Sequence, residues 1–414
     1  MPSSLEWLLT QQRFMKPGLE RIQALLERLN HPERAYKAVL VGGTNGKGST
    51  TLALSEILRA AGYRVGRYIS PHIVRFNERM VVGAAEIAEE ELEALLGEIR
   101  PLAEETGASF FEIVTVAALL YFARASVDWA VLEVGLGGRF DATNATQPEL
   151  SLITSIGLDH TEILGSSLSQ IAFEKAGILR PGKVAFTAAE GQGLAALRKR
   201  AGELGADLRV LGEDFCLAQV GPDPRGLSFG LELEGNHAFH TALLGAHQAR
   251  NLALAIAAAR ELGLGWEAIQ QGLENLWHSG RLELLSSAYG ELLLDGAHNL
   301  DGARALKQAL DDHFPQRPAS LVLALSRDKD AEAMARVLQP AFQKIVLTRY
   351  NSPRSLAPEE LLPYFPGALA AHSPAEALHL AEVSGGLTVV AGSLYLVGEV
   401  KRLLLGLPAE ERWQ

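Results

Sequence analysis

Apolar and polar residues follow two periods along this chain, and their alternation lays out the architecture. Short apolar runs over 36–41, 63–69, 129–134, 150–156, 183–188 and 208–211 read as strands. Between them, helices are expected over 18–29, 49–61, 85–106, 110–125, 169–179 and 193–204, with another over 3–14. Pro101 is expected to interrupt the helix over 85–106, because its ring removes a backbone donor. Strands that alternate with helices predict a parallel sheet. The segments 216–220, 227–233 and 239–244 alternate apolar with polar residues instead, as a small antiparallel patch does. Helices over 246–262 and 266–276 complete a first domain, 1–280.

Ser279-Gly280-Arg281-Leu282 reads as a link, after which the alternation restarts. Strands over 292–295, 321–325, 345–347 and 388–391 interleave with helices over 300–314, 330–338, 358–362 and 394–405, implying a second parallel sheet in a domain 281–414. The expected fold is thus two α/β domains: a P-loop ATPase-type domain carrying the antiparallel patch, then a Rossmann-like one. A chain of 414 residues exceeds a single core, which agrees.

Composition narrows the function. Net charge is −11 with no block of Lys or Arg, so a nucleic-acid surface has no electrostatic support and small-molecule partners are expected. The single cysteine, Cys216, excludes a disulfide framework and a thiolate metal cluster and suits a reducing compartment. No signal-peptide pattern opens the chain, and no apolar run reaches the roughly 18 residues of a membrane span. A cytoplasmic location with no membrane partner is the expectation.

The candidate chemistry centres on Val39-Leu40-Val41-Gly42-Gly43-Thr44-Asn45-Gly46-Lys47-Gly48-Ser49-Thr50, a strand, a glycine-rich turn and a helix start. Such a turn lets backbone N–H groups converge on a phosphate at the positive end of a helix. Thr44, Asn45, Gly46, Lys47, Gly48 and Ser49 form the cradle, Lys47 is an exposed point charge for the outer phosphates, and Ser49 or Thr50 offers a hydroxyl to magnesium. Gly48 departs from the common pattern, in which a hydroxyl residue follows the lysine. Glu133 ends an apolar strand, where a carboxylate is costly unless paired or metal-bound. His160 follows the next strand and so lies at the same sheet edge, where α/β folds bind ligands. The loops 70–79, 135–144, 295–299 and 326–330 add polar groups at sheet edges.

Together these segments resemble the folylpolyglutamate synthase and dihydrofolate synthase family, within the ATP-dependent Mur ligases. The resemblance runs through nearly the whole chain. It rests on Gly43 to Ser49, Ser70-Pro71-His72, Glu133 to Arg139, Asp141-Ala142-Thr143-Asn144, Gly157-Leu158-Asp159-His160, Glu174-Lys175-Ala176-Gly177, Asp295 to Asn299 and Gly392-Ser393-Leu394-Tyr395. Gly48 after the lysine is this family's form.

The resemblance implies that the γ-phosphate of ATP activates a carboxylate of a reduced folate or dihydropteroate, and that the amine of L-glutamate displaces it. Two magnesium ions are implied, one held by Ser70 and Glu133, the other by His160 with Glu133. Asn251 would meet the adenine, and Arg281 and Asp295 would reach ATP from the link and second domain. His298 and Ser393 would lie near glutamate, and Phe111, Thr115 and Asp141 would border the pterin. Lys175 would be carbamylated, since a free ammonium near two magnesium ions is repelled. Lys47, Lys175 and His298 are the expected catalytic groups, in an enzyme expected to act as a monomer. A Mur-type ligase acting on a peptidoglycan precursor is the nearest rival reading, and a nucleotide-gated binding module without turnover is a rival of another class.

Overall fold

The computed structural model describes residues 3–11, 17–274, 276–383 and 385–408. Its first sheet contains β1 (Lys37–Gly42), β2 (Val65–Tyr68), β3 (Met80–Val82), β4 (Ala85–Glu86), β5 (Trp129–Glu133), β6 (Leu150–Ile153), β7 (Val184–Thr187) and β8 (Asp207–Val210). They pair in the order β4-β3-β2-β5-β1-β6-β7-β8. The central strand β1 lies between β5 and β6, parallel to both, and chain order diverges on its two sides. At this point an α/β sheet opens a crevice beyond its strand ends.

Both faces of the central strands are buried, which explains their unbroken apolar runs. On one face lies the helix Phe110–Arg124, begun by a capping box between Ser109 and Glu112 and buried on nearly every side. On the other lie the helices Lys47–Ala60, His247–Glu261 and Trp266–Glu274. The antiparallel patch forms as expected from β9 (Cys216–Asp223), β10 (Gly226–Glu232) and β11 (Asn236–Thr241), in the order β11-β10-β9.

The second sheet contains β12 (Glu283–Ser287), β13 (Gly290–Leu294), β14 (Ala319–Leu323), β15 (Lys344–Leu347), β16 (Leu369–Ala370) and β17 (Leu387–Ala391), in the order β12-β13-β17-β14-β15-β16. It departs from the expected all-parallel sheet. β12 pairs antiparallel with β13 through a turn at Gly290, whose φ of 86° favours glycine. Two short elements were also absent from the sequence reading, β16 and the helix Pro374–Ala381, although Ser373 and Pro374 form a recognisable helix start.

Pro101 does not interrupt its helix: Glu89–Thr106 is continuous around it. A proline inside a helix costs about 3 kcal/mol. Leu92, Leu95, Leu96 and Ile99, buried on this helix, each contribute roughly 1.5–3 kcal/mol, and together they outweigh it. Residues 85–86, expected in that helix, form the edge hairpin with β3 instead. The N-terminal helix spans Ser4–Leu9, and the 12–14 part of its expected range lies outside the described residues. Among the described residues, no helix is long and apolar enough to cross a membrane.

Candidate active site

The loops after β1, β5 and β6 meet the start of the second domain around a cleft of about 390 Å³. Gly43 and Gly46 take φ of 140° and 91°, conformations that bend the loop sharply. The first i−4 bond of the following helix runs from Thr50 N to Gly46 O. The N–H groups of Lys47, Gly48 and Ser49 precede it and have no partner within the helix, which is the arrangement of an anion site.

Lys47 is half-buried in the cleft rather than exposed. Its Nζ donates to Gly43 O at 3.2 Å and Thr44 O at 3.1 Å. Lys175 Nζ donates to the same Gly43 carbonyl at 2.7 Å, so the two lysines converge on one side of the loop. Burial lowers the pKa of both. For Lys175, burial and then the Lys47 charge push it down to about 7.

Glu133 lies beneath the loop with its Oε2 accepting from Ser70 N at 3.1 Å. Burial pushes its carboxyl upward, against the Lys47 charge and the Ser70 bond. A carboxylate kept in such a place, beside a helix start with unpaired backbone N–H groups, fits a divalent cation, and Ser70 stands next to it. His160 lines the same cleft. Burial pushes its ring down to about 4, leaving the neutral imidazole that metal binding requires.

The second domain closes the cleft through hydrogen bonds that the sequence reading did not contain. Asn45 and Asn299 exchange side-chain amide bonds of 3.2 and 3.0 Å. Asp159 Oδ2 accepts from Asn299 Nδ2 at 3.2 Å and lies 3.3 Å from His298 Nε2, while its Oδ1 pairs with Lys329. Burial opposes the Asp159 charge, but His298 and Lys329 hold its carboxyl far below the usual range. The polarity of loop 326–330 was the only signal for Lys329. Asp159, His160 and Asp328 bring ligand atoms within 4.8 Å of one another, but Lys329 already pairs with both aspartates.

The remaining expected residues divide. Asn251, Arg281, Asp295 and His298 line the cleft. Asp295 also braces the link, accepting from Leu282 N and Ala297 N, each at 2.9 Å. Asn251 packs on the loop so closely that a Cβ on Gly46 would lie 2.1 Å from its Oδ1. Phe111, Thr115, Asp141 and Ser393 are not among the residues lining the cleft. Phe111 packs on Tyr68 and against Gly135, and Thr115 lies 3.3 Å from the Tyr68 hydroxyl. Asp141 is buried and ties its own loop, accepting from Thr143 and Leu136. Ser393 caps the helix Leu394–Leu404, whose first residue reaches the cleft.

Residues 41–259 match the family model of the Mur ligase middle domain, and residues 280–394 that of the Mur ligase glutamate ligase domain. The chain is 36% identical to a Bacillus subtilis dihydrofolate synthase/folylpolyglutamate synthase, over 96% of this chain and 97% of the relative. An Escherichia coli structure in complex with DHPP and ADP superposes with a TM-score of 0.91 at 30% identity, covering 98% of each chain. A bifunctional folylpolyglutamate synthase/dihydrofolate synthase with Mn, AMPPNP and L-glutamate bound gives a TM-score of 0.87 at 31% identity, over 98% of this chain and 99% of that one.

Proposed function

The chain belongs to the Mur ligase family, in its folylpolyglutamate synthase and dihydrofolate synthase branch, and from that premise we propose how the cleft works. It is an ATP-dependent ligase that adds L-glutamate to a folate or dihydropteroate carboxylate through an acyl phosphate. One observation carries the assignment of the chemistry to this cleft: a glycine cradle with two lysines on one carbonyl faces the buried Glu133, and the second domain is hydrogen-bonded across the opening.

In this reading the N–H groups from Lys47 to Ser49 hold the phosphates, and the Lys47 ammonium holds charge as it moves to the transferred phosphoryl group. Ser70 and Glu133 would hold one magnesium, with His160 and Glu133 at a second. Bound magnesium would supply neutralisation of charge between phosphate oxygens. Asn251, Arg281 and Asp295 would position the nucleotide from the first domain, the link and the second domain. His298 would meet glutamate from the second domain, with Ser393 at the helix start beside it, and Phe111, Thr115 and Asp141 would border the pterin. The Asn45–Asn299 and Asp159–Asn299 bonds keep the cleft closed, which shields an acyl phosphate from water. Domains of 1–280 and 281–414, supported by the two separate sheets, a cytoplasmic location, supported by the lone cysteine, and a monomeric state complete the proposal.

Release of ADP should require both a pterin substrate, dihydropteroate or tetrahydrofolate, and L-glutamate. ADP release without glutamate at the full rate would refute ligation, and activity only with a peptidoglycan precursor would replace the folate acceptor.

Lys175 is expected to carry a carbamate. With the ammonium pushed down to about 7, a large share is free amine at neutral pH, and that share rises with pH. The ammonium first loses one proton, and the free amine then adds to carbon dioxide and loses a second, so a cation becomes an anion beside the proposed phosphate site. Carbon-13 bicarbonate should give a carbamate resonance that Lys175→Ala abolishes. Full activity after exhaustive removal of carbon dioxide would show the lysine acting unmodified.

A further inference from the structure

The link between the two sheets touches the phosphate loop through His278. The Nδ1 of its half-buried ring lies 3.1 Å from Ser49 Oγ. A Cβ on Gly48 would come within 3.1 Å of the ring's Cε1 and 3.3 Å of its Nε2, with Glu133 Oε2 at 3.6 Å. Glycine at 48 therefore leaves the space that the imidazole uses, and the first hydroxyl after Lys47 falls at Ser49.

On its other side the link is fixed to the second domain. Gly280 N and Lys401 Nζ donate to Glu283 at 2.8 and 2.7 Å, and Gly296 N donates to Gly280 O at 2.9 Å. His278 thus stands between the second domain and the loop that would hold phosphate.

We propose that His278 is a positioning residue for the nucleotide: it accepts the Ser49 hydroxyl proton, so that both lone pairs of the Ser49 oxygen stay available to the magnesium that accompanies ATP. The inference rests on the ligase reading and extends it to the link. A hydroxyl has one proton and two lone pairs, and donation to the ring spends neither lone pair. Without the ring, the Ser49 hydroxyl loses this acceptor and the direction of its oxygen is no longer fixed. In its neutral Nε2–H tautomer the ring presents Nδ1 as the acceptor at that distance.

Calorimetric titration with ADP, in magnesium and in EDTA, tests the proposal without turnover. His278→Ala should weaken binding about 5–10-fold in magnesium and leave binding in EDTA unchanged. His278→Asn, whose amide oxygen can accept, should recover most of the loss. Adding His278→Ala to Ser49→Ala should cost nothing further. His278→Phe, which fills the space without an acceptor, carries the same expectation as the alanine variant if the latter does not fold. Wild-type affinity in both variants, equal weakening with and without magnesium, or full additivity with Ser49→Ala would overturn the proposal. Failure of the wild-type protein itself to bind ADP would instead refute the ligase reading.

Discussion

Lys47→Ala is expected to lower ADP release by about 10³-fold or more while the protein stays folded, as read by circular dichroism and thermal unfolding. In the proposed mechanism the ammonium supplies the charge that meets the outer phosphates, and no smaller side chain would replace it. Its structural share is small. The variant loses bonds to the Gly43 and Thr44 carbonyls, each worth about 1 kcal/mol net, but Lys175 still donates to Gly43. Burial lowers the Lys47 pKa, so the folded state disfavours its charge, and removing that charge offsets part of the lost bonding. A second effect follows from the shared carbonyl. Without the Lys47 charge, the Lys175 pKa rises, and its carbamate should form less readily at neutral pH. Near-normal turnover by a folded variant would remove the loop from the mechanism.

Glu133→Gln should cost about 10²–10³-fold in rate, with a raised magnesium requirement and only partial recovery at excess metal. The amide keeps the shape but cannot supply the anionic ligand a divalent cation prefers. Stability should move the other way. Burial raises the Glu133 pKa above its unfolded value, so the folded state binds the proton more tightly. Its stability contribution is therefore present at low pH and lost as pH rises through the folded pKa. The glutamine variant lacks that slope and should unfold at or above the wild-type temperature at neutral pH, a trade of stability for function. Thermal unfolding across pH 5 to 8, beside a magnesium titration of turnover, checks both halves. An unchanged magnesium dependence would deny Glu133 a metal role.

Local rules carried the reading furthest where a residue's role depends on its neighbours in sequence. The run before Gly42, the glycines after it and the helix start at Lys47 are contiguous, so this strand–turn–helix is legible in the sequence. Glu133 stood out because a carboxylate ends an otherwise apolar strand. Pro101 misled because propensity is a local term and four buried side chains on the same helix exceed it. The β12–β13 hairpin has only a glycine turn as its local signal, and the strand–helix alternation beyond it predicts parallel pairing alone.

By itself, the sequence determined two α/β domains, the cradle, the buried carboxylate and the family resemblance, since each is written in residue spacing over a few turns of chain. Only the tertiary structure decided that Asn45 meets Asn299, 254 positions away, that Asp159 joins His298 and Lys329 across the cleft, and that His278 reaches Ser49 over a separation of 229. The physical reason is that the first two depend on how the two sheets dock, and the last on how the chain beyond the helix Trp266–Glu274 returns to the phosphate-loop helix. Periodicity encodes which face of an element is buried, but not which polar group on another domain will stand opposite it.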